Sequence, residues 1–231
     1  QPPPMSAMAK TQTTTAQNYL KELYQLQQRT ADNALVPLGR LAEALEVTPG
    51  TATTMVKRFA DDGLMRYTAR RGARLTAKGQ KLALGVLRRH RIVETFLVEH
   101  LGLDWSEVHQ EAEVLEHAIS EKVLNRLDAL LGHPTTDPHG SPIPPANGKM
   151  RPIAMRPLSR CKAGQRVTVG RLLDTHAGFL KLAEKLGLMP DTKLHIVEVD
   201  DDADALTLQI GRRKPATLGL SAADKIMVTD S

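Results

Sequence analysis

Residues 41–75, LAEALEVTPGTATTMVKRFADDGLMRYTARRGARL, predict two short helices followed by a basic hairpin. Thr48-Pro49 is a strong helix start, because Thr caps the N-terminus and Pro fits the first helical position. Gly63 is a natural stop for that helix, since glycine adopts the left-handed conformation that follows a helix end. Residues 64–75 then predict two short strands around the turn ARRGA. Helix, turn, helix and basic hairpin in this order are typical of a winged helix-turn-helix.

The second helix of this stretch has one apolar and one polar side. At ~100° per residue, the wheel puts Ala52, Met55, Val56 and Phe59 together, facing a core. Hydroxyls on the other side suit base edges or phosphates, and arginines in the hairpin suit phosphate or a minor groove. The alternative is a solvated helix face beside a basic surface hairpin. We predict DNA contacts by Thr48, Thr51, Thr53, Thr54, Lys57, Arg58, Arg70 and Arg71.

Charge is distributed unevenly along the chain. Residues 37–91 hold 12 basic and 4 acidic side chains, whereas residues 92–128 hold nine acidic ones against Lys122 and Arg126. This pattern predicts a part that binds a polyanion joined to a part that binds cations. With three Phe, three Tyr and one Trp, the chain has too few aromatics for a base-stacking RNA platform.

Composition excludes several classes of protein. No apolar run reaches the ~18 residues of a membrane span, so we expect no membrane association. The N-terminal residues QPPPMSAMAKTQTTT lack the apolar segment of a secretory signal and read as a disordered leader over residues 1–14. The single cysteine, Cys161, excludes an intramolecular disulfide. These features predict a cytoplasmic protein.

The flanking sequence predicts a mainly α chain with small β parts. Residues 15–29 have helical spacing, Thr76 caps a long helix through Leu101, and residues 105–131 read as one further helix. Residues 133–148 are rich in Pro and Gly and read as a linker or loop. Beyond them, residues 165–173, 193–199 and 205–211 predict strands and residues 179–186 a short helix, which together suggest a small β-barrel.

Histidines and glutamates are grouped on the two predicted long helices. With His109 at 0° on a helical wheel, Glu113, Glu116 and His117 share an arc about 100° wide, next to an apolar face. His90 and Glu94 have i,i+4 spacing on the preceding helix. A divalent cation removes the cost of charge beside an apolar face, and six O and N ligands converge if the helices pack together. The alternative is a surface ion pair and a solvated face.

Several stretches resemble the diphtheria toxin repressor and manganese transport regulator (DtxR/MntR) family of metal-dependent repressors. They are AQNYLKELYQL, LAEALEVTPGTATTMVKRFADDGLM, LTAKGQKLA, RRHRIVETFL, VHQEAEVLEHAISEKVLNRLD and PHGSPIP. The resemblance covers residues 16–231. It implies a winged helix-turn-helix DNA-binding domain (15–83), a helical metal-binding and dimerisation domain with a Pro-rich loop (84–148), and an SH3-like domain related to FeoA (149–231).

The resemblance also implies two sets of metal ligands. One set is His90, Glu94 and His109, completed by Asp174 or else His176. Asp137 and His139 contribute where some members have Cys-Pro-His-Gly. The other set is Glu113, Glu116 and His117, with Asn18 at a position where the family more often has Asp or Met. Lys21 replaces the Glu of the binuclear manganese sensors, which argues against their paired-metal arrangement.

Glu113 stands where iron-type members have Cys, and hard oxygens with imidazole suit Mn(II), with Fe(II) next. The resemblance therefore implies a homodimeric metal-dependent transcriptional regulator, a repressor of metal-uptake genes on palindromic operators. Two alternatives stay open: a metalloenzyme with a helical His/Glu site, and a winged-helix regulator that senses an organic ligand. The HExxH and di-iron spacings are not met, so we predict that the chain is not an enzyme.

Overall fold

The computed structural model describes residues 13–28, 34–148, 150 and 153–231. Most of the predicted disordered leader, residues 1–12, lies outside this range. The chain forms two compact units: one reaches Arg89 and includes Pro144–Gly148, and the other holds His90–Ile143 with the C-terminal part from residue 149. The three-domain division at residues 84 and 149 stays a prediction. Among the described helices, none combines the length and the apolar character that crossing a bilayer requires.

The first unit contains a winged helix-turn-helix. Its elements are α1 (Thr14–Gln28), α2 (Leu38–Ala44), α3 (Pro49–Asp61), β1 (Met65–Thr68), β2 (Gly72–Leu75) and the start of α4 (Ala77–Leu101). Each helix lies within a residue or two of its predicted range. The Oγ1 of Thr48 accepts a hydrogen bond from the backbone N–H of Thr51 and so caps α3, and Thr76 Oγ1 accepts one from Gly79 N–H at the start of α4.

The wing is a short antiparallel pair anchored by a third segment. Strands β1 and β2 pair from Met65 opposite Leu75 to Thr68 opposite Gly72. Val36 exchanges two backbone hydrogen bonds with Ala73, each 2.9 Å long. Gly72 has a φ of 129°, and a Cβ there would stand 2.2 Å from the carbonyl oxygen of Val36. Only glycine fits this close approach, which explains the glycine in the predicted turn.

The two sides of α3 are as the helical wheel predicts. Ala52, Val56 and Phe59 are buried, and Met55 is half-buried. The hydroxyls of Thr53 and Thr54 bond back to the carbonyls of Pro49 and Gly50 on the helix itself. Their methyl groups and the charged side chains form the outer face. The predicted DNA contacts lie exposed on this face and in the wing, except that Thr53 is partly covered; they are Thr48, Thr51, Thr53, Thr54, Lys57, Arg58, Arg70 and Arg71.

The prediction of one helix over residues 105–131 is wrong. The structure has α5 (Val108–Leu115) and α6 (Glu121–Leu130), separated by a turn. Ser120 causes the break, because its Oγ accepts the N–H of Val123 and starts a new helix. Glu116 and His117 therefore do not lie on the same helix as His109. They lie in the turn that follows α5.

The C-terminal part is an SH3-like antiparallel sheet. Its strands are β3 (Arg156–Pro157), β4 (Arg166–Leu172), β5 (Lys193–Asp200), β6 (Ala205–Ile210), β7 (Ala216–Gly219) and β8 (Ile226–Asp230), in the order β3-β8-β4-β5-β6-β7. A 3-10 turn (Leu158–Arg160) and two helices, α7 (Ala177–Leu186) and α8 (Leu220–Ala223), complete it. Strands β4 to β6 match the prediction. The prediction omits β3, β7 and β8, which have two to five residues each.

A single apolar core joins this sheet to the helical part of the same unit. Trp105, from the segment before α5, is buried with Leu158, Val169, Leu180 and Ile196 of the SH3-like part. Lys181 on α7 also donates to the Glu107 carboxylate at 2.8 Å. The sheet and the segment around α5 therefore form one packed body, which fixes the surroundings of the candidate site.

Candidate metal centre

Three predicted ligands from α4 and α5 meet at one point. His90 and Glu94 lie one turn apart on α4 and are buried, and His109 reaches them from α5. The Nε2 of His90 lies 2.9 Å from Glu94 Oε1 and 3.0 Å from His109 Nδ1, and the last two atoms are 3.0 Å apart. We call these three residues the first group.

The three mutual contacts of the first group cannot all be hydrogen bonds. An ionised carboxylate only accepts, and each ring nitrogen offers at most one proton. At most two of the three contacts can then be hydrogen bonds, and the third brings two like partners together. A cation satisfies all three atoms at once. Cis ligands of an octahedral ion with bonds of about 2.1 Å stand about 3.0 Å apart, which fits the observed triangle.

A loop brings Asp137 and His139 to the other oxygen of Glu94. Ligand atoms of Glu94, Asp137 and His139 all lie within 4.8 Å of one another, and we call these three the loop group. His139 Nδ1 stands 3.9 Å from Glu94 Oε2 and is buried, with no hydrogen-bond partner in the part of the chain described. His139 Nε2 is 2.8 Å from the carbonyl oxygen of Trp105. Because a carbonyl oxygen only accepts, Nε2 is the donor of this bond, and a neutral ring then has Nδ1 available as an acceptor suited to a cation.

The carboxylate of Asp137 is fixed by its surroundings. Its Oδ1 accepts the backbone N–H groups of His139 and Ser141, both at 2.9 Å. Its Oδ2 is 3.5 Å from Nε of the buried Arg91. Sequence analysis did not single out Arg91, Ser141 or Trp105. Arg91 falls in a basic run that suggests solvent, and Trp105 acts through its backbone carbonyl, which no side-chain pattern reveals.

Strand β4 of the SH3-like part supports the loop that carries these residues. The N–H of Leu172 donates to the carbonyl of His139 at 2.9 Å, and Arg171 Nε donates to Ser141 Oγ at 2.9 Å. Gly140 has a φ of 80°, and a Cβ there would stand 2.1 Å from the carbonyl oxygen of Gly170. The loop and the strand are therefore in direct backbone contact.

The two buried carboxyl groups have opposite pKa shifts. Burial raises the pKa of Glu94, but the charge of His90 and hydrogen bonds from His109 and His90 together lower it well below its usual value. Burial raises the pKa of Asp137, and the charge of Glu94 raises it further, against the opposing effect of Arg91. A cation between the two would favour the ionised form of both.

The second predicted set lies beside the first group. Glu116 is fully buried, with Oε2 2.5 Å from His90 Nδ1 and Oε1 3.3 Å from His117 Nε2. Glu113 is more exposed, and its Oε1 is 3.5 Å from His109 Nε2. We call Glu113, Glu116 and His117 the second set.

The remaining predicted ligands have other surroundings. Asp174 accepts from Lys225 Nζ at 2.7 Å and from His176 N–H at 2.9 Å, and it belongs to neither group of ligand atoms found among the described residues. His176 caps α7 through Gly178 N–H. Asn18, in the first unit, has a buried Oδ1 without a hydrogen-bond partner in the described range. Lys21 is buried in α1. The roles of Asn18 and Asp174 as ligands stay predictions.

Comparison with known protein families divides the chain into three matches. Residues 11–73 match the family model for the iron dependent repressor N-terminal DNA binding domain. Residues 76–145 match that for the iron dependent repressor metal binding and dimerisation domain. Residues 156–230 match the FeoA domain.

Curated relatives match over 56% of the chain. The iron-dependent repressor IdeR of Mycobacterium tuberculosis is 43% identical over 131 residues, which cover 56% of this chain and 55% of that protein. The diphtheria toxin repressor of Corynebacterium diphtheriae is 37% identical over 131 residues, 56% of each. The matched part of the chain thus spans about half the length of these curated relatives.

Solved structures match over nearly the whole chain. A manganese-dependent transcriptional repressor in complex with manganese has a TM-score of 0.86 and 38% identity, covering 93% of this chain and 99% of that one. The manganese regulator SloR has a TM-score of 0.77 and 30% identity, covering 93% and 98%. These matches, together with the three family domains in order, show that the chain belongs to the diphtheria toxin repressor and manganese transport regulator family of metal-dependent repressors.

Proposed function

We propose that the chain is a transcriptional repressor that binds DNA when Mn(II) or Fe(II) is bound, and that it acts in the cytoplasm as a homodimer on palindromic operators of metal-uptake genes. The observation that carries the proposal is the first group, whose three ligand atoms stand 2.9 to 3.0 Å apart, so that their three mutual contacts cannot all be hydrogen bonds. The bare, buried Nδ1 of His139 nearby supports it.

The donor atoms favour a hard divalent cation. The two groups offer carboxylate oxygens and imidazole nitrogens, and the one cysteine lies in the core of the SH3-like part. Such a set suits Mn(II) best, with Fe(II) next. Zn(II) binds most N/O sites more tightly than Mn(II), and the related repressor ScaR, 30% identical, has been solved with Zn2+. Affinity in vitro is therefore a poor guide to the metal used in the cell.

The exposed face of α3 and the wing support DNA as the partner. Lys57, Arg58, Arg70 and Arg71 lie exposed there, and the resolved shape is a winged helix-turn-helix. In a homodimer, two such helices spaced about 34 Å apart would match successive major grooves, which is why a palindrome is expected.

In the proposed mechanism, a cation would be held by His90, Glu94, His109, Asp137 and His139, which come from α4, α5 and the loop. Glu113, Glu116 and His117 would form the second set. The bound ion would supply positive charge that keeps these elements together. Metal would favour the DNA-binding conformation only to the extent that this conformation binds the ion more tightly than other conformations do. Asn18 would be the contribution of α1.

The test is DNA binding with and without metal. Duplexes are first selected from a random library in the presence of Mn(II), and their affinity is then measured by fluorescence anisotropy. We expect a chelator to weaken binding at least tenfold, and Glu94→Gln to remove the response to Mn(II). His133→Gln is the matched control, since this exposed histidine pairs only with Asp128 among the contacts described. Equal affinity with and without chelator would refute the proposed switch.

The two alternatives from the sequence have less support. The named relatives are repressors, which disfavours a metalloenzyme. A regulator of the same fold that senses an organic ligand would retain no divalent metal in equilibrium dialysis, whereas the proposed repressor retains Mn(II) until Glu94 is changed.

A further inference from the structure

Two histidine rings each face both predicted ligand sets. His90 turns its Nε2 to Glu94 and His109, and its Nδ1 stands 2.5 Å from Glu116 Oε2. His109 turns its Nδ1 to Glu94, and its Nε2 stands 3.5 Å from Glu113 Oε1. Each ring thus joins the first group to one carboxylate of the second set.

A neutral imidazole ring that joins two groups in this way accepts at one nitrogen and donates at the other. A neutral ring carries one proton, so a nitrogen that binds a cation leaves the proton on the other nitrogen. For His90 the proton is then on Nδ1, where it donates to Glu116 Oε2. This bond holds the Glu116 carboxylate with its other oxygen 3.3 Å from His117 Nε2. Hydrogen bonds of this kind orient ligands and strengthen their basicity.

We propose that the His90–Glu116 hydrogen bond couples the two predicted metal-binding sets, so that His90 positions Glu116 for the second set when the first group is filled. The proposal rests on the proposed function, because it requires that both sets bind a divalent cation. Coupling of this kind is reciprocal: filling the second set strengthens binding at the first by the same factor.

Burial makes His90 the stronger of the two bridges. The side chains of His90 and Glu116 are 6% and 0% exposed, whereas those of His109 and Glu113 are 29% and 40% exposed. Water screens the outer pair, and the inner pair has a short, charge-assisted contact. The coupling therefore depends mainly on Glu116, and Glu113 contributes less.

The test compares two substitutions by glutamine in the second set, Glu116→Gln and His117→Gln. Each removes a ligand of that set, but only the first weakens the hydrogen bond to His90. The single tryptophan, Trp105, stacks on His139 with ring centroids 5.4 Å apart, so quenching of its fluorescence by Mn(II) reports filling at the first and loop groups. We expect Glu116→Gln to weaken this Mn(II) affinity about tenfold, because loss of such an outer partner costs 10–100-fold in general. His117→Gln should weaken it much less.

A second measurement reads the hydrogen bond itself. In protein loaded with diamagnetic Zn(II), long-range proton–nitrogen NMR correlations should show His90 protonated at Nδ1, with a downfield proton that shifts upfield in Glu116→Gln and not in His117→Gln. Glu113→Gln should give an intermediate effect on affinity and none on this proton. Circular dichroism checks that each variant is folded.

The outcomes separate the two proposals. If wild-type protein binds no Mn(II), the proposed function fails. If wild-type protein binds Mn(II) but Glu116→Gln and His117→Gln change the affinity of the first group equally, the coupling is refuted and the proposed function stands. A His90 proton on Nε2 in the Zn(II) form would also refute the coupling.

Discussion

Glu94 is the one residue that the first group and the loop group share. Its Oε1 faces His90 and His109, and its Oε2 faces His139. A buried carboxylate between three imidazoles is costly unless it is compensated by positive charge or a cation. The charge state of Glu94 therefore links folding of the metal-free chain to pH.

We predict that Glu94→Gln reduces the dependence of stability on acid. The pKa of Glu94 is lowered in the folded chain, so the unfolded chain binds its proton more readily. The stabilisation by this carboxylate is present above the unfolded pKa of about 4.3 and is lost as pH falls through the folded value. Urea unfolding of metal-free protein should show the wild type keeping its advantage over Glu94→Gln from pH 7 to about 5 and losing it as pH falls from about 5 toward 3. An advantage that is unchanged over this range would contradict the assignment.

For single residues, the sequence predicts the metal ligands better than the groups that hold those ligands in place. The i,i+4 spacing of His90 and Glu94 follows from helical geometry and holds in α4. The carbonyl of Trp105 that holds the His139 ring, and the buried Arg91 beside Asp137, depend on contacts between distant segments. No local spacing predicts such contacts.

Among the elements, α3 combines a structural end with a proposed contact surface. Thr48 closes its N-terminus by accepting the Thr51 N–H at 3.2 Å, whereas Thr54 lies exposed one turn later. The two roles can therefore be separated by substitution.

We predict that Thr48→Ala lowers the free energy of unfolding by about 1 kcal/mol, the usual effect of losing a helix cap. Thr54→Ala, the matched change, should leave stability nearly unchanged and weaken binding to the selected duplex. Chemical denaturation and anisotropy measure the two effects. Equal stability losses in both variants would show that Thr48 is not an effective cap.

The loop that carries His139 gives a second prediction at this scale. Gly140→Ala should destabilise the protein strongly, because its Cβ would overlap the Gly170 carbonyl at 2.1 Å in addition to the strain of a φ of 80°. Gly132→Ala is the control: its φ is 71°, but nothing lies within 4 Å of a Cβ there. The control should cost only the left-handed backbone strain, about 1–2 kcal/mol. Similar melting temperatures for both variants would argue against the close packing of the loop on β4.

Helix boundaries show why element prediction partly failed. The apolar spacing of residues 105–131 continues through the turn, and so it predicts one helix. Ser120 was the local signal for a new start, because its side chain takes the Val123 N–H that a continuous helix would bond elsewhere. Strands β3, β7 and β8 are too short for a period of two to stand out.

In the whole molecule, exposed apolar side chains suggest where a second copy of the chain packs in a dimer. Of the nine large apolar side chains found exposed in the described range, five lie between residues 101 and 130: Leu101, Val114, Leu115, Val123 and Leu130. These five are close together in the sequence, and exposed apolar surface is typical of interfaces. The region falls within the matched metal binding and dimerisation domain.

We predict that Leu130→Lys shifts the protein toward monomers. Leu130 is 58% exposed at the end of α6, so a charge there disturbs an interface without entering the core. Val197→Lys, on β5 of the SH3-like part and 44% exposed, should leave the assembly unchanged. Sedimentation velocity distinguishes the two. A dimer that survives Leu130→Lys would mean that this end of α6 is not in the interface.

The order of the three parts along the chain can be predicted from the sequence. The contact between the loop that carries His139 and the sheet cannot. A winged helix, helices and a small sheet could be predicted from periodicity, charge and turn residues. The hydrogen bond from Leu172 to His139 joins residues 33 positions apart, and neither belongs to a pattern that points to the other.

That bond limits how the chain could be recombined with its relatives. A chimera joined at residue 149 would keep every side chain proposed to bind metal except Asp174, yet it would replace the strand against which His139 and Gly140 rest. The graft would retain its metal response only if the donor supplied a backbone N–H in the place of Leu172 and left room where Gly170 now lies. Exchanging the C-terminal part should therefore weaken the support of the loop that carries Asp137 and His139, and with it the affinity of the loop group for metal.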